Sequence, residues 1–136
     1  MKKPGNHIEF NEDRDRALHR EFMAVLRTAT DVPLREMFGM AAMRPAPRFW
    51  VSESRAAIVI GAMMRGHTPE RMNPKRREMF LEIHRRVVEK MAGNPEMCMT
   101  HAVNETVYEE APEFYLQPET ARSIIYRFIQ KRKAKR

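Results

Sequence analysis

The sequence contains a single cysteine, Cys98, among its 136 residues. One cysteine cannot form a disulfide within the chain, and this usage fits a reducing cytoplasm. The chain also lacks an apolar stretch as long as a membrane span, and its first ten residues have no apolar run of the kind that follows the lysines of a signal peptide. We therefore expect a soluble, cytoplasmic protein with no membrane partner.

Sequence motifs of catalysis and of cofactor binding are also missing. There is no glycine-rich phosphate loop, no HExxH pair, no CxxC pair and no GxSxG turn. The five histidines are scattered along the chain. We predict that the protein is not an enzyme and that it uses neither a cofactor nor a metal.

Positive charge is what the sequence has in excess. It contains 25 Lys and Arg against 18 Asp and Glu, a formal net charge of +7. Such a balance indicates a polyanionic partner, most often DNA or RNA. It is also compatible with a surface that serves only solubility, or with an acidic protein partner. With 136 residues the chain is long enough for one core, so we expect one domain over residues 1–136.

An internal repeat organises the chain. Ala46–Ile60, APRFWVSESRAAIVI, returns without a gap as Ala111–Ile125, APEFYLQPETARSII, at an offset of sixty-five residues. The same offset places Leu18 on Ile83 and Phe38 on Val103. We predict two tandem helix–helix–extended–helix repeats, about 10–66 and 75–131, joined by a connector at 67–74 and followed by a basic tail at 131–136. Because neither half would bury its apolar faces alone, we expect them to pack as a pseudo-twofold pair.

Apolar residues at helical spacing predict an all-α fold. The third helix is apolar on nearly all sides, so we expect it to be buried on most of them. The first predicted helix is Glu12–Thr30, with Asn11 as its N-cap, and a shorter second helix starts near Pro33 and is capped by Asp31. The third runs from the N-cap Ser52 to about Arg65 and is ended by Gly66. The remaining three are Lys75–Ala92, about Thr100–Glu110, and a helix that begins at Pro118.

Two basic clusters are candidates for contacts to phosphate. One lies in the fourth helix and the other is the C-terminal run, where six of the last ten residues are basic. Long cationic side chains reach a phosphate backbone without a fixed geometry, and such binding is independent of sequence and sensitive to salt. The alternative is a solvated helix end whose cations favour the helix dipole. Two arginines of the first repeated segment, Ala46–Ile60, are added to these clusters. The candidate residues are Arg48, Arg55, Lys75, Arg76, Arg77, Arg85, Arg86, Arg127, Lys131, Arg132, Lys133, Lys135 and Arg136.

An acidic block separates these clusters. Residues 91–121 contain six Glu and neither Lys nor Arg. The block either meets the basic face of a second copy of the chain or faces solvent.

Trp50 and Tyr115 occupy equivalent positions in the two repeats. Exposed rings there could stack on bases, whereas buried rings would anchor the start of a core helix. The apolar neighbours of both residues favour anchoring.

The runs RFWVSESRAAIVI, RMNPKRREMFLEIHRRV and APEFYLQPETARSII resemble a family of small uncharacterised proteins of gut Bacteroidetes, their phages and mobile elements. The resemblance covers roughly Pro45–Tyr126. The sequence departs from the family pattern at Ser54, where Glu is usual, and at Glu113, where a basic or small residue is usual. The resemblance implies a phage or mobile-element context, and therefore a cytoplasmic protein or one carried in a phage particle. It implies no activity and no site residue.

From these observations we predict that the chain is a basic, non-enzymatic protein that binds nucleic acid as an accessory factor of a phage or mobile element. The alternative is a structural or adaptor protein, a virion component or a subunit of a larger complex, whose basic surface contacts a protein partner or another copy of the chain.

Overall fold

The computed structural model describes residues 7–135, with side chains from Phe10 onward, and this part of the chain is all-helical, as predicted. It contains six helices: α1 (His7–Thr28), α2 (Leu34–Ala42), α3 (Glu53–Met64), α4 (Pro74–Gly93), α5 (Met99–Val107) and α6 (Pro118–Ala134). No helix in residues 7–135 is both long enough and apolar enough to cross a membrane.

Side-chain caps and prolines fix several of the helix ends. The Ser52 hydroxyl accepts a hydrogen bond from the Arg55 N–H, which confirms the predicted N-cap of α3. Asn73 caps α4 in the same way, by accepting from the Arg76 N–H. Gly66 follows α3 with a φ of +94°, the left-handed conformation expected of a residue that ends a helix.

Two predicted caps are wrong. Asn11 lies inside α1, which extends to His7. The ring of Phe10 packs edge-on against the ring of Trp50, with the centroids 6.0 Å apart. This tertiary contact stabilises the helical residues that precede Asn11. Asp31 has a φ of +57° in the loop before α2, where Pro33 takes the N-cap position.

The helices pack as two groups of three. α1 and α2 pack against each other and both contact α6. α4 and α5 pack against each other and both contact α3. The third helix of each half of the sequence therefore packs on the other half of the sequence.

Two extended segments, 43–52 after α2 and 108–117 after α5, join the two groups through paired backbone hydrogen bonds. Ala46 and Ala111 form an isolated antiparallel bridge, in which each N–H donates to the other's carbonyl over 2.9 Å. The Phe49 N–H donates to the Val107 carbonyl, and the Phe114 N–H donates to the Ala42 carbonyl. Phe49 and Phe114, like Ala42 and Val107, are sixty-five residues apart in the sequence.

The buried apolar side chains form one cluster that draws on all six helices and on both extended segments. Ala56, Val59 and Ile60 are the buried residues of α3. The prediction that α3 is buried on most sides is wrong, since Ile58 is 64% exposed. The reason is that α3 contacts only α4 and α5 among the described helices, which leaves one face open.

Candidate nucleic-acid interface

The two central arginines of α4 form ion pairs within the chain. Arg85 contacts Glu82 at 2.7 Å and Glu89 at 3.0 Å, on its own helix. Arg86 contacts Glu82 at 2.7 Å and reaches across to Glu109 at 3.2 Å. The guanidinium of Arg86 also lies over the ring of Phe49. Both of these predicted phosphate-binding residues therefore already have partners within the chain.

Two lysines extend this pairing to the acidic block. Lys75 contacts Glu113 at 2.8 Å, and this hydrogen bond raises the pKa of Lys75. Lys90 contacts Glu109 at 2.5 Å. The acidic block is therefore partly neutralised by α4 of the same chain. Neither predicted arrangement of the block, against a second copy or fully towards solvent, describes these two glutamates.

Acid is expected to weaken the fold through Glu82. Hydrogen bonds, first from Arg85 and then from Arg86, lower the pKa of Glu82 from 4.5 to about 2. Because the pKa is lower in the folded state, the stabilisation is complete above pH 4.5 and is lost as the pH falls towards 2. Solvent screening limits it to about 1 kcal/mol. Glu82→Gln should therefore reduce the pH dependence of the unfolding free energy in that range, measured by urea unfolding.

The matched control for this measurement is Glu70→Gln, which removes an exposed carboxylate of the segment between α3 and α4 that forms no ion pair with the described residues. It should leave the pH dependence as in the wild type. A wild-type pH dependence in Glu82→Gln would contradict the assignment.

Arg48 lies half-buried among aromatic rings. Its Nε donates to the Phe49 carbonyl at 2.9 Å and its terminal nitrogen donates to the Val51 carbonyl at 2.7 Å. The guanidinium lies 4.6 Å from the ring centroid of Tyr108 and 5.5 Å from that of Trp50. Burial lowers the pKa of Arg48. Arg48 therefore stabilises the first extended segment, and backbone carbonyls and ring faces balance the charge of its guanidinium.

Arg55 and Arg76 both line a cleft of about 360 Å³ between α1, the start of α3 and the start of α4. Arg76 is half-buried over the ring of Phe80, and Arg55 is exposed. Burial lowers the pKa of Arg76, and the positive charge of Arg55 lowers it further. Neither guanidinium forms an ion pair with any residue in the described part of the chain. Two cations that line one cleft without a carboxylate partner are unfavourable in the free protein.

Arg14 lines the same cleft and was not among the residues predicted from the sequence. Its guanidinium donates twice to one carboxylate oxygen of Asp15, at 3.0 and 3.1 Å. A helical-wheel plot of α1 could have found it, because Arg14 lies three residues after Asn11 and therefore on the same helix face.

The predicted anchoring role of Trp50 agrees with its burial, since only 7% of the residue is exposed. Its Nε1 is buried and has no hydrogen-bond partner among the described residues. Tyr115 is half-buried, lies at 6.2 Å from Phe49 in a stacked arrangement, and has a φ of +57°. Burial raises the pKa of Tyr115 to about 12.

The C-terminal half of α6 and the residue that follows it are rich in cations. Five of them are exposed and form no ion pair with the residues from 10 to 135, namely Arg127, Lys131, Arg132, Lys133 and Lys135. Arg77 of α4 is likewise exposed and unpaired within that range. The sixth predicted tail residue, Arg136, lies outside the described residues.

This end of α6 is fixed to α1 by aromatic contacts. The rings of His19 and Phe128 lie 4.8 Å apart, and Arg132 lies over the ring of Phe128 at 5.7 Å. Burial, and then the charge of Arg132, lower the pKa of His19. The basic end of α6 is thus presented on a packed helix.

The described side chains contain no group of three or more His, Cys, Asp or Glu residues arranged to hold a metal ion. Comparison with protein-family models, with curated proteins and with solved structures finds no match for this chain.

Proposed function

We propose that this protein binds nucleic acid without catalysing a reaction, and that it serves as an accessory protein of a phage or mobile element. The observation that carries the proposal is the contrast between the two basic helices. The cations of α4 are largely paired with glutamates, whereas the five at the end of α6 are exposed and unpaired. A cluster of unpaired cations at one end of a helix is the electrostatic footprint of a phosphate-binding protein.

The pairing of cations supports a proposed interface with fewer residues than the sequence alone suggested. Lys131, Arg132 and Lys133 occupy the last turn of α6, where cations also complement the helix dipole. Arg127 lies one turn earlier and Lys135 follows the helix. Five such side chains contact phosphates without reading bases, so binding is largely independent of sequence. Arg85, Arg86 and Lys75 would first have to leave their glutamates, and they contribute less.

The test is the affinity for a short DNA duplex and for a single-stranded RNA, measured by fluorescence anisotropy across a salt series. The triple variant Lys131→Gln/Arg132→Gln/Lys133→Gln should bind at least about tenfold more weakly at low salt. The magnitude of its slope of log affinity against log salt should fall, for each phosphate that the variant no longer neutralises, by about 0.9 with the duplex and by about 0.7 with the single strand.

A matched control removes the same charge elsewhere. Arg27→Gln/Arg35→Gln/Arg65→Gln replaces three exposed arginines that form no ion pair with the described residues. It should keep the wild-type slope. Equal reductions of affinity in the two triple variants would show that only net charge matters, and no binding by the wild type at low salt would overturn the proposal.

A structural or adaptor role is the second candidate. Apolar side chains at the surface favour it, since Leu34 and Met43 at the two ends of α2 are 51% and 56% exposed. In that case the basic end of α6 would contact an acidic protein. The same salt series separates the two candidates, because an adaptor would show no steep dependence on salt with DNA or RNA.

We further propose that the chain is a tandem duplication whose halves are related by a pseudo-twofold axis. The support is the pairing of positions sixty-five residues apart, above all Ala46 with Ala111. The reciprocal placement of α3 and α6 on the opposite halves agrees with it.

A further inference from the structure

We propose that the cleft between α1, α3 and α4 is a binding site for a phosphate group, held by Arg55 and Arg76. The site is separate from the basic end of α6, and the inference does not depend on the nucleic-acid function proposed above. The ligand class is inorganic phosphate or a phosphate monoester.

The two arginines supply the charge of the site. Both line the cleft without a carboxylate within 4.0 Å in the described structure, and Arg76 is half-buried there. Like charges are rarely kept together and partly desolvated unless an anion lies between them. Guanidinium groups pair with phosphate through two parallel N–H bonds, which makes them suited to an oxyanion with several acceptor oxygens.

The helix ends add to the same potential. Ser52 and Arg55 at the start of α3, and Arg76 in the first turn of α4, all line the cleft. The positive ends of two helix dipoles therefore border it, and both favour an anion. The cleft volume of about 360 Å³ has room for a phosphate and for a small organic group attached to it.

Trp50 gives this site its own spectroscopic probe. It is the single tryptophan of the chain and it lines the cleft. The experiment is a titration of the full-length protein with inorganic phosphate at pH 7.5, at constant ionic strength with sodium chloride, followed by tryptophan fluorescence. We expect a saturable change with half-saturation at about 1 mM or below. A change that does not saturate, or that chloride reproduces, would overturn the proposal.

Two variants and a control locate the binding. Arg55→Gln/Arg76→Gln should weaken phosphate binding about tenfold or more. The single variant Arg55→Gln, at an exposed position, should weaken it in the same direction without disturbing the fold, and it decides the matter if the double variant unfolds. Arg20→Gln/Arg35→Gln removes two exposed charges elsewhere and should bind as the wild type does. Wild-type affinity in Arg55→Gln would exclude the site.

A comparison of ligands then identifies the source of the phosphate. Adenosine 5′-monophosphate that binds more tightly than inorganic phosphate would assign a nucleotide or a nucleic-acid end, and equal affinities would assign free phosphate. Both outcomes support the site. Adenosine without phosphate should not bind, and binding of adenosine with the affinity of its monophosphate would contradict a phosphate site.

Discussion

Separation of the chain between α3 and α4 is expected to give two fragments, 1–66 and 67–136, that do not fold as monomers. The reason is that the third helix of each half of the sequence packs on the other half. The fragment 1–66 retains α3 but loses α4 and α5, which are its only helical partners in the described structure. Ala56, Val59 and Ile60, all buried in the intact chain, would then face water. The fragment 67–136 loses both α1 and α2, on which α6 packs.

The measurement is circular dichroism with thermal unfolding on each fragment and on their equimolar mixture, with the mass of each species from analytical ultracentrifugation. Each fragment alone should show little helix and no cooperative transition as a monomer. The mixture should regain the helical signal and a cooperative transition, because it restores both three-helix groups and the Ala46–Ala111 bridge. A fragment that unfolds cooperatively as a monomer would contradict the arrangement of the core.

Phe49→Ala is expected to be the most damaging of the simple side-chain truncations. The ring of Phe49 is fully buried, stacks with Tyr115 at 6.2 Å and lies under the guanidinium of Arg86 at 4.9 Å. Removal of a buried phenylalanine leaves a cavity and costs about 3–5 kcal/mol of unfolding free energy. For a chain of this size the midpoint of thermal unfolding should fall by on the order of 10 °C.

Ile58→Ala is the matched control for this truncation, since it also removes an apolar side chain, here at a position 64% exposed on α3. Its unfolding free energy should stay within about 0.5 kcal/mol of the wild type, measured by urea unfolding. A decrease in Ile58→Ala as large as that in Phe49→Ala would mean that the open face of α3 is covered in solution.

The sequence predicted a helix end correctly where the end depends only on the capping residue and its near neighbours in the sequence. Ser52 accepts from the Arg55 N–H, and Gly66 takes the left-handed conformation, as their residue types indicate. Asn11 failed as a cap because the contact between Phe10 and Trp50 spans forty residues of sequence and extends α1 beyond it. No local pattern contains that contact.

α5 shows the same limit at its C-terminus. Its predicted span reached Glu110, but the helix ends at Val107. The Val107 carbonyl accepts from the Phe49 N–H of the other extended segment, and the ring of Tyr108 lies against Arg48. Both partners belong to the first half of the chain, so the end of this helix is set by tertiary contacts.

The sequence by itself determined the helical class, the approximate positions of six helices and the separation of charge along the chain, because these follow from apolar spacing and composition. Only the tertiary structure decided which cations are paired. Lys75 and Glu113 are 38 residues apart, and Arg86 and Glu109 are 23 apart. Ion pairs at such separations depend on how helices pack, so the fold alone divides the basic residues into those paired within the chain and those that form no ion pair in its described part.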